Sequence, residues 1–254
     1  LLAVGGGSVI DTCKSMGFGV YYDGDVWDLI SCKVRPGTER VPVATILTLP
    51  AAGSEESDSC IVSDETIPMK TGFGSPLMRP VFSIMNPELT YTLPPYQTAC
   101  GVADILMHTL DRYFSDVQGN ELTDALAEAI LRTTVRFGKT ALVRPDDYEA
   151  RSELMWCGSL SHNNLTGLGR TKDFTVHQLG HELSGRYGMA HGASLAIMWP
   201  AWAATPPALP VWAGPCSAYR RKTTGRPRWR PSRRWRPASG TWGFPSAWGS
   251  RRPA

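Results

Sequence analysis

Asp173-Phe174-Thr175-Val176-His177-Gln178-Leu179-Gly180-His181-Glu182-Leu183, followed closely by Tyr187-Gly188-Met189-Ala190-His191-Gly192, holds three of the five histidines in this 254-residue chain. A fourth, His108, stands four residues after Asp104 in Gly101-Val102-Ala103-Asp104-Ile105-Leu106-Met107-His108. Positions four apart on a helix share a face one turn up. Asp104 and His108 can therefore point at one spot, and so can His177 and His181. A carboxylate and several imidazoles converging from helices are the parts of a divalent-metal site. Asp104 with His108 can also be read as a simple one-turn side-chain pair.

The totals around this stretch narrow the class of protein. A chain of this length suits one large domain or two small ones. The formal charge of +3 hides an asymmetry, because ten Arg, one Lys and no acid lie beyond residue 200. Residues 1–200 then carry 15 basic and 23 acidic side chains, a net of −8. Six cysteines stand singly with no Cys-x-x-Cys pair, which argues against a zinc ribbon or a disulfide framework. Reduced cysteines and a cytoplasmic location are expected. No apolar run is long enough to span a bilayer, so no membrane partner is expected. The chain opens without Met in what reads as mid-strand, and its N-terminus is read as truncated.

Upstream of the histidines the pattern is strand, small-residue turn, helix. Leu1 to Val4 is apolar and ends in Gly5-Gly6-Gly7-Ser8, with a helix expected from Val9 to Gly17. Such a turn before a helix N-terminus suits a pyrophosphate, although the spacing is not that of the ordinary dinucleotide fingerprint and a plain strand-to-helix turn fits equally well. Asp11 is read as a first-turn charge favoured by the helix dipole. Residues 22–40 read as a polar stretch with turns. Val41 to Pro50 reads as a buried strand running into Ala51-Ala52-Gly53-Ser54-Glu55, and Val81 to Met85 as a third strand. Three buried strands with small-residue turns suggest a mostly parallel sheet whose crevice holds a nucleotide.

From about residue 93 the periodicity becomes helical. Helices are expected at Tyr96–Phe114, at Glu121–Gly138 with Leu122, Leu126, Ala129, Ile130 and Thr133 on one face, and at Tyr148–Leu160. Met155 and Trp156 are read as core. A loop through Gly167-Leu168-Gly169 leads to Thr171, a candidate N-cap for the helix bearing His177 and His181. His162, alone on its helix face, reads as a solvated or hydrogen-bonded residue. The fold class is thus an α/β N-terminal dinucleotide-binding part followed by an all-α C-terminal domain, divided as 1–92 and 93–203. Residues 204–254 form a basic tail rich in Trp, Pro and Arg. Without core-forming residues the tail reads as disordered or out of frame rather than as a nucleic-acid contact.

Four blocks carry a family resemblance: Gly5 to Asp11, Thr48 to Glu55, Asn86-Pro87-Glu88-Leu89-Thr90-Tyr91-Thr92-Leu93-Pro94 continuing to His108, and His177 to Leu183 with His191-Gly192. In this order they resemble the iron-dependent (group III) alcohol dehydrogenases, and in particular their NAD(P)-dependent butanol dehydrogenase branch. The resemblance implies a dehydroquinate synthase-like architecture with a divalent metal, Fe2+ or Zn2+, between an α/β and a helical domain. It implies Asp104, His108, His177 and His191 as metal ligands, with His181 beside the metal. Gly5, Gly6, Gly7 and Ser8 would hold the pyrophosphate of NAD or NADP. Thr48, Leu49 and Ala52 would line the nicotinamide half, with Lys70 near the cofactor. Ala52 stands where the family usually has threonine, and Asn86 where an aspartate is common. A homodimer is a further expectation of the family.

The implied reaction interconverts short-chain primary alcohols, butanol-like, and their aldehydes by hydride transfer to and from NAD(P). A divalent ion on the alcohol oxygen lowers its pKa. His181 is the candidate proton relay, on the premise that imidazole titrates near neutrality. Phe174 and Leu183 suit small aliphatic substrates. Two alternatives stay open: another enzyme of this architecture, such as a polyol dehydrogenase or a cyclase-type synthase, and a catalytically inactive fragment that at most binds a divalent metal.

Overall fold

The computed structural model describes residues 1–204 apart from 65, 68, 116 and 118; the tail expectation for 205–254 lies outside the described residues. Three parallel strands, β1 (Leu2–Gly5), β2 (Ala44–Leu47) and β5 (Ser83–Ile84), form one sheet in the order β1-β2-β5. Leu2 pairs with Ala44 and Thr45 with Ser83. The parallel sheet expected from the sequence is present. Between β2 and β5 the chain adds an antiparallel hairpin that the sequence reading did not contain, β3 (Ser59–Asp64) with β4 (Met69–Gly74). The polar stretch after the first helix also contains a short helix, α2 (Val26–Ile30), capped by the Asp25 side chain.

Helix α1 (Gly7–Gly19) leaves the glycine turn and packs on both β1 and β3. Its buried Lys14 ties it down. The ammonium donates to Ser54 Oγ at 3.0 Å, Ser57 Oγ at 3.0 Å and Ser59 O at 2.9 Å. Asp11 lies past the first turn, which contains no acid. Instead of serving the helix dipole it accepts from Ser54 Oγ at 2.5 Å and from the Ile61 amide at 2.9 Å. Asp11 and Lys14 together fasten the loop after β2 and the start of β3 to α1. Burial raises the Asp11 carboxyl above its usual range although Lys14 opposes it.

Helices α3 (Pro95–Tyr113), α4 (Glu121–Val143), α5 (Tyr148–His162), α6 (Thr175–Tyr187) and α7 (His191–Ala204) build the second half. The buried face of α4 runs through Ala127, Ile130, Leu131, Thr134, Phe137 and Ala141. That corrects the expected face, of which only Ile130 survives, while Leu122 is 75% exposed. Met155 of α5 packs with Ala3, Ile10, Val43 and Leu47, so this helix is part of the sheet's core. Trp156 is turned outward and half exposed, against expectation. A separate cluster of Met107, Leu110, Leu131, Val176 and Leu195 joins α3, α4, α6 and α7.

Candidate metal centre and dinucleotide cleft

Helix α3 places Asp104, His108 and Asp111 on one stripe, at the i, i+4, i+7 positions that share a face. All three are buried. Helix α6 presents His177 and His181. Phe174, not Thr171, takes the N-cap position, without a side-chain bond, and the Asp173 carboxylate just before it accepts from the Thr175 amide at 2.9 Å. Gly188, at φ +61°, ends it in the left-handed conformation expected of a helix stop. His191 opens α7.

Small residues bring these helices together. A Cβ on Gly192 would run into the Cys100 carbonyl oxygen of α3, and one on Gly180 would lie 2.8 Å from Leu195 Cδ2. The close approach lets the His181 and His191 rings stack with centroids 5.0 Å apart. It also sets His177 and His191 rings 5.5 Å apart.

Ring nitrogens from three segments surround Asp104 Oδ1. His108 Nε2 lies 3.3 Å away, His177 Nε2 3.6 Å and His191 Nε2 3.9 Å. Among the described residues, Asp104, His177 and His191 form a group whose ligand atoms all lie within 4.8 Å of one another. Two donors on one tetrahedral ion at ordinary metal–ligand lengths stand about 3.4 Å apart, which matches these separations. Asp104 Oδ1 and His177 Nε2 are buried and have no hydrogen-bond partner. Buried polar atoms left without partners are costly, and a shared cation satisfies both. The donor set therefore fits a divalent ion.

The charges around the cluster point the same way. Burial works against a charged His177, yet Asp111 and then Asp104 outweigh it and push the imidazole up to about 9. The carboxylates thus favour positive charge at His177, while burial pushes the His108 and His191 imidazoles well below their ordinary range. Burial would raise Asp104, but His191, His177 and Lys70 outweigh it and hold the carboxyl below the usual range. Asp111 Oδ2 lies 2.5 Å from His177 Nδ1 and orients the ring. A carboxylate behind a metal-facing histidine is a common supporting arrangement. Burial, with Lys70 next, lowers His181 to about 3, so the premise that it titrates near neutrality does not hold. As a neutral imidazole it keeps one N–H and one lone pair.

The residues assigned to the cofactor gather at the C-terminal ends of β1 and β2. The Thr48 amide donates to Gly5 O at 3.1 Å. A Cβ on Gly6 would sit 3.1 Å from Leu49 Cβ, and one on Gly7 3.3 Å from Ala52 Cβ. The turn is thus seated directly on the second block. Helix α1 starts at Gly7 with Gly6 as its N-cap and no side chain bonded across its end. Its free amides can receive a pyrophosphate, and Gly5 to Ser8 are partly or fully exposed. The loop at 50–54 reaches the helical half, since a Cβ on Gly53 would lie 2.8 Å from His162 Cβ. Lys70 lies on β4. Its ammonium is lowered by burial, with Asp104 opposing, and its charge is felt at His181 and His191. It stands within electrostatic reach of both Asp104 and Asp11 of α1.

Two halves of one family match this chain in order. Residues 1–87 match the model of the iron-containing alcohol dehydrogenases, and residues 98–208 the C-terminal model of the Fe-containing alcohol dehydrogenase family. The chain belongs to the iron-containing alcohol dehydrogenase family. It lies on the butanol dehydrogenase branch. NADH-dependent butanol dehydrogenase A of Clostridium acetobutylicum is 47% identical over 202 residues, covering 80% of this chain and 52% of the relative. The NADPH-dependent aldehyde reductase YqhD of Escherichia coli is 38% identical over 203 residues, covering 79% and 52%. The crystal structure of NADH-dependent butanol dehydrogenase A from Thermotoga maritima superposes with a TM-score of 0.77 at 36% identity, covering 79% of this chain and 50% of that one. This iron-containing alcohol dehydrogenase chain spans about half the length of the curated relatives it matches.

Asp111, Arg112 and His162 were absent from the sequence-level site. Asp111 carried a signal, being seven residues past Asp104 on the same stripe. His162 carried none, because its neighbours come from α3 and β3.

Proposed function

We propose that this chain carries the centre of a metal-dependent oxidoreductase that interconverts short-chain primary alcohols and aldehydes with NAD or NADP. The observation behind this reading is the pair of buried, unpartnered atoms Asp104 Oδ1 and His177 Nε2, 3.6 Å apart with His191 beside them. Asp104, His177 and His191 would hold the ion, Fe2+ or Zn2+, and His108 would complete the set. A bound divalent ion supplies Lewis acidity for the alcohol or aldehyde oxygen, and a bound nicotinamide supplies the hydride donor or acceptor.

The remaining work falls to the chain's own residues. Asp111 keeps the His177 ring in register. Gly5, Gly6, Gly7 and Ser8 offer backbone amides and the α1 N-terminus to a pyrophosphate. Thr48, Leu49 and Ala52 form the wall beside it. Lys70 adds positive charge near Asp104. His181, neutral and stacked on His191, can donate a hydrogen bond from one ring nitrogen and accept one at the other. Phe174, with its ring 5.3 Å from that of His177, keeps water from one side. A homodimer and a cytoplasmic location are part of the proposal. No helix among the described residues is long and apolar enough to cross a membrane.

The test is metal analysis of the purified chain together with butyraldehyde reduction by NADH and by NADPH. Stoichiometric ion and reduction with either nucleotide are expected. Metal without turnover would assign the chain to binding alone, and no metal uptake would sink the proposal.

A further inference from the structure

Behind the metal-facing residues lies a second pair, buried Arg112 and partly buried His162. Arg112 is 3% exposed. Its guanidinium is fixed by a bond from Nη1 to His108 O at 2.6 Å and stands 4.8 Å from the centre of the Phe174 ring. Its Nη2 lies 3.1 Å from His162 Nδ1. The same His162 Nδ1 lies 2.8 Å from His108 Nδ1, and His162 Nε2 lies 3.2 Å from Ser59 Oγ.

Counting donors settles which nitrogens carry protons. A guanidinium only donates. His162 Nδ1 must therefore accept, and it carries no hydrogen. Two ring nitrogens 2.8 Å apart need one hydrogen between them, so His108 Nδ1 is the one that bears it. His162 Nε2–H is left to donate to Ser59 Oγ. His108, protonated at Nδ1 in its neutral form, turns a bare lone pair at Nε2 toward Asp104 Oδ1, 3.3 Å away. Two acceptors facing each other at that distance repel unless a cation lies between them. The other tautomer, with N–H at His108 Nε2, would need the shared hydrogen on His162 Nδ1, where it would oppose the Arg112 Nη2 donor.

We propose that His162, backed by Arg112, is a positioning residue that sets the tautomer of His108 and so commits His108 Nε2 to the metal. This rests on the metal reading of Asp104, His177 and His191. It gives His108 the support that Asp111 gives His177, by a neutral imidazole in place of a carboxylate. The centre then has two different backings on two sides. It also accounts for a lone histidine on α5 being bonded to α3 and β3 residues.

The test uses the full chain with His162→Leu and His162→Gln. Nitrogen-15 spectra of histidine-labelled chain, recorded after chelator treatment, report the tautomer of His108 directly. Chelator competition with Zn2+ reports affinity, and the visible bands of the Co2+-loaded chain report geometry. The Nδ1–H tautomer is expected in the unsubstituted chain. His162→Leu should bind Zn2+ about 10–100-fold more weakly, as other outer-layer losses do, and shift the Co2+ bands. His162→Gln, whose carboxamide oxygen can accept from His108, should recover most of the affinity. A merely structural role would lower the unfolding temperature but leave the affinity of the folded chain within about twofold, well short of an outer-layer loss, and would overturn the proposal. So would an Nε2–H tautomer at His108 in the unsubstituted chain, a readout that does not need the variants to fold. Failure of the unsubstituted chain to bind Zn2+ would instead strike the metal reading, while the nitrogen-15 spectra still decide the role of His162.

Discussion

Asp111 shows how much of this site depends on atoms that never face the cleft. Its carboxylate is 2.5 Å from His177 Nδ1 and nearly fully buried. Asp111→Ala leaves His177 free to rotate and should weaken metal binding about 10–100-fold, measured by chelator competition. Asp111→Asn keeps an acceptor but not the charge and should fall between. At the single-residue level the sequence displayed the inner layer well. Asp104, His108 and His177 stand on helix-spaced pairs, and a spacing of four is visible in one dimension. His162 and Arg112 were illegible because their meaning comes from α5 meeting α3, and nothing within Tyr148–His162 encodes that meeting. The neutral-pH premise for His181 failed for a related reason, since burial is a property of the packed whole. Glu55 offers a pH test away from the metal. Burial raises its carboxyl despite the bond from Ser159 Oγ at 2.5 Å. The folded chain therefore holds this proton more tightly than the unfolded chain does. Its contribution to stability is full below the ordinary glutamate range and is lost as pH rises through the raised value. Glu55→Gln should gain in unfolding free energy relative to the unsubstituted chain as pH rises across that window, read by urea titration at several pH values. Parallel curves would refute it.

Helices and strands differ in how clearly they announced themselves. The positions of α3, α5 and α6 followed from apolar periodicity and stop signals, Gly188 among them. The face of α4 did not, because alanines and threonines lie on both sides of Glu121–Val143 and blur the stripe. The β3–β4 hairpin was missed for want of contrast. Its strands mix Ser, Lys, Thr and Gly, and only Cys60 and Phe73 are fully buried. Close packing between elements was equally silent, though it decides the site. Gly192 sits so near the Cys100 carbonyl that any Cβ must push α7 from α3. Gly192→Ala should cost about 1–3 kcal/mol as an overpacking change and also lower metal occupancy, because His191 moves with α7. Thermal unfolding and metal analysis on the same sample would check both, and full occupancy with reduced stability would show that His191 is dispensable.

Across the whole molecule, the two halves are joined by the loop at 50–54, by Met155 in the sheet's core and by the histidine cluster. The α/β-then-α order was legible because the hydrophobic period changes once, near residue 93. The junction was not, since it is made by Gly53, Gly101 and Met155, residues with no chemical signature. A metal held by Asp104 and His108 of α3, His177 of α6 and His191 of α7 would cross-link three helices that also share the Met107, Leu110, Val176 and Leu195 cluster. Binding that favours the folded chain stabilises it by mass action, about 2.7 kcal/mol when free ion is a hundred times the dissociation constant. Zn2+ should therefore raise the unfolding temperature of the chelator-treated chain, increasingly with concentration. Asp104→Ala removes the one carboxylate at the centre, and with it the partnerless Oδ1 that a cation would satisfy. This variant should start at a lower temperature, because the ionised carboxylate that His191, His177 and Lys70 favour in the folded chain is gone, and should show no concentration-dependent rise. A Zn2+ response undiminished in Asp104→Ala would place the ion elsewhere and break the link between these helices and the metal.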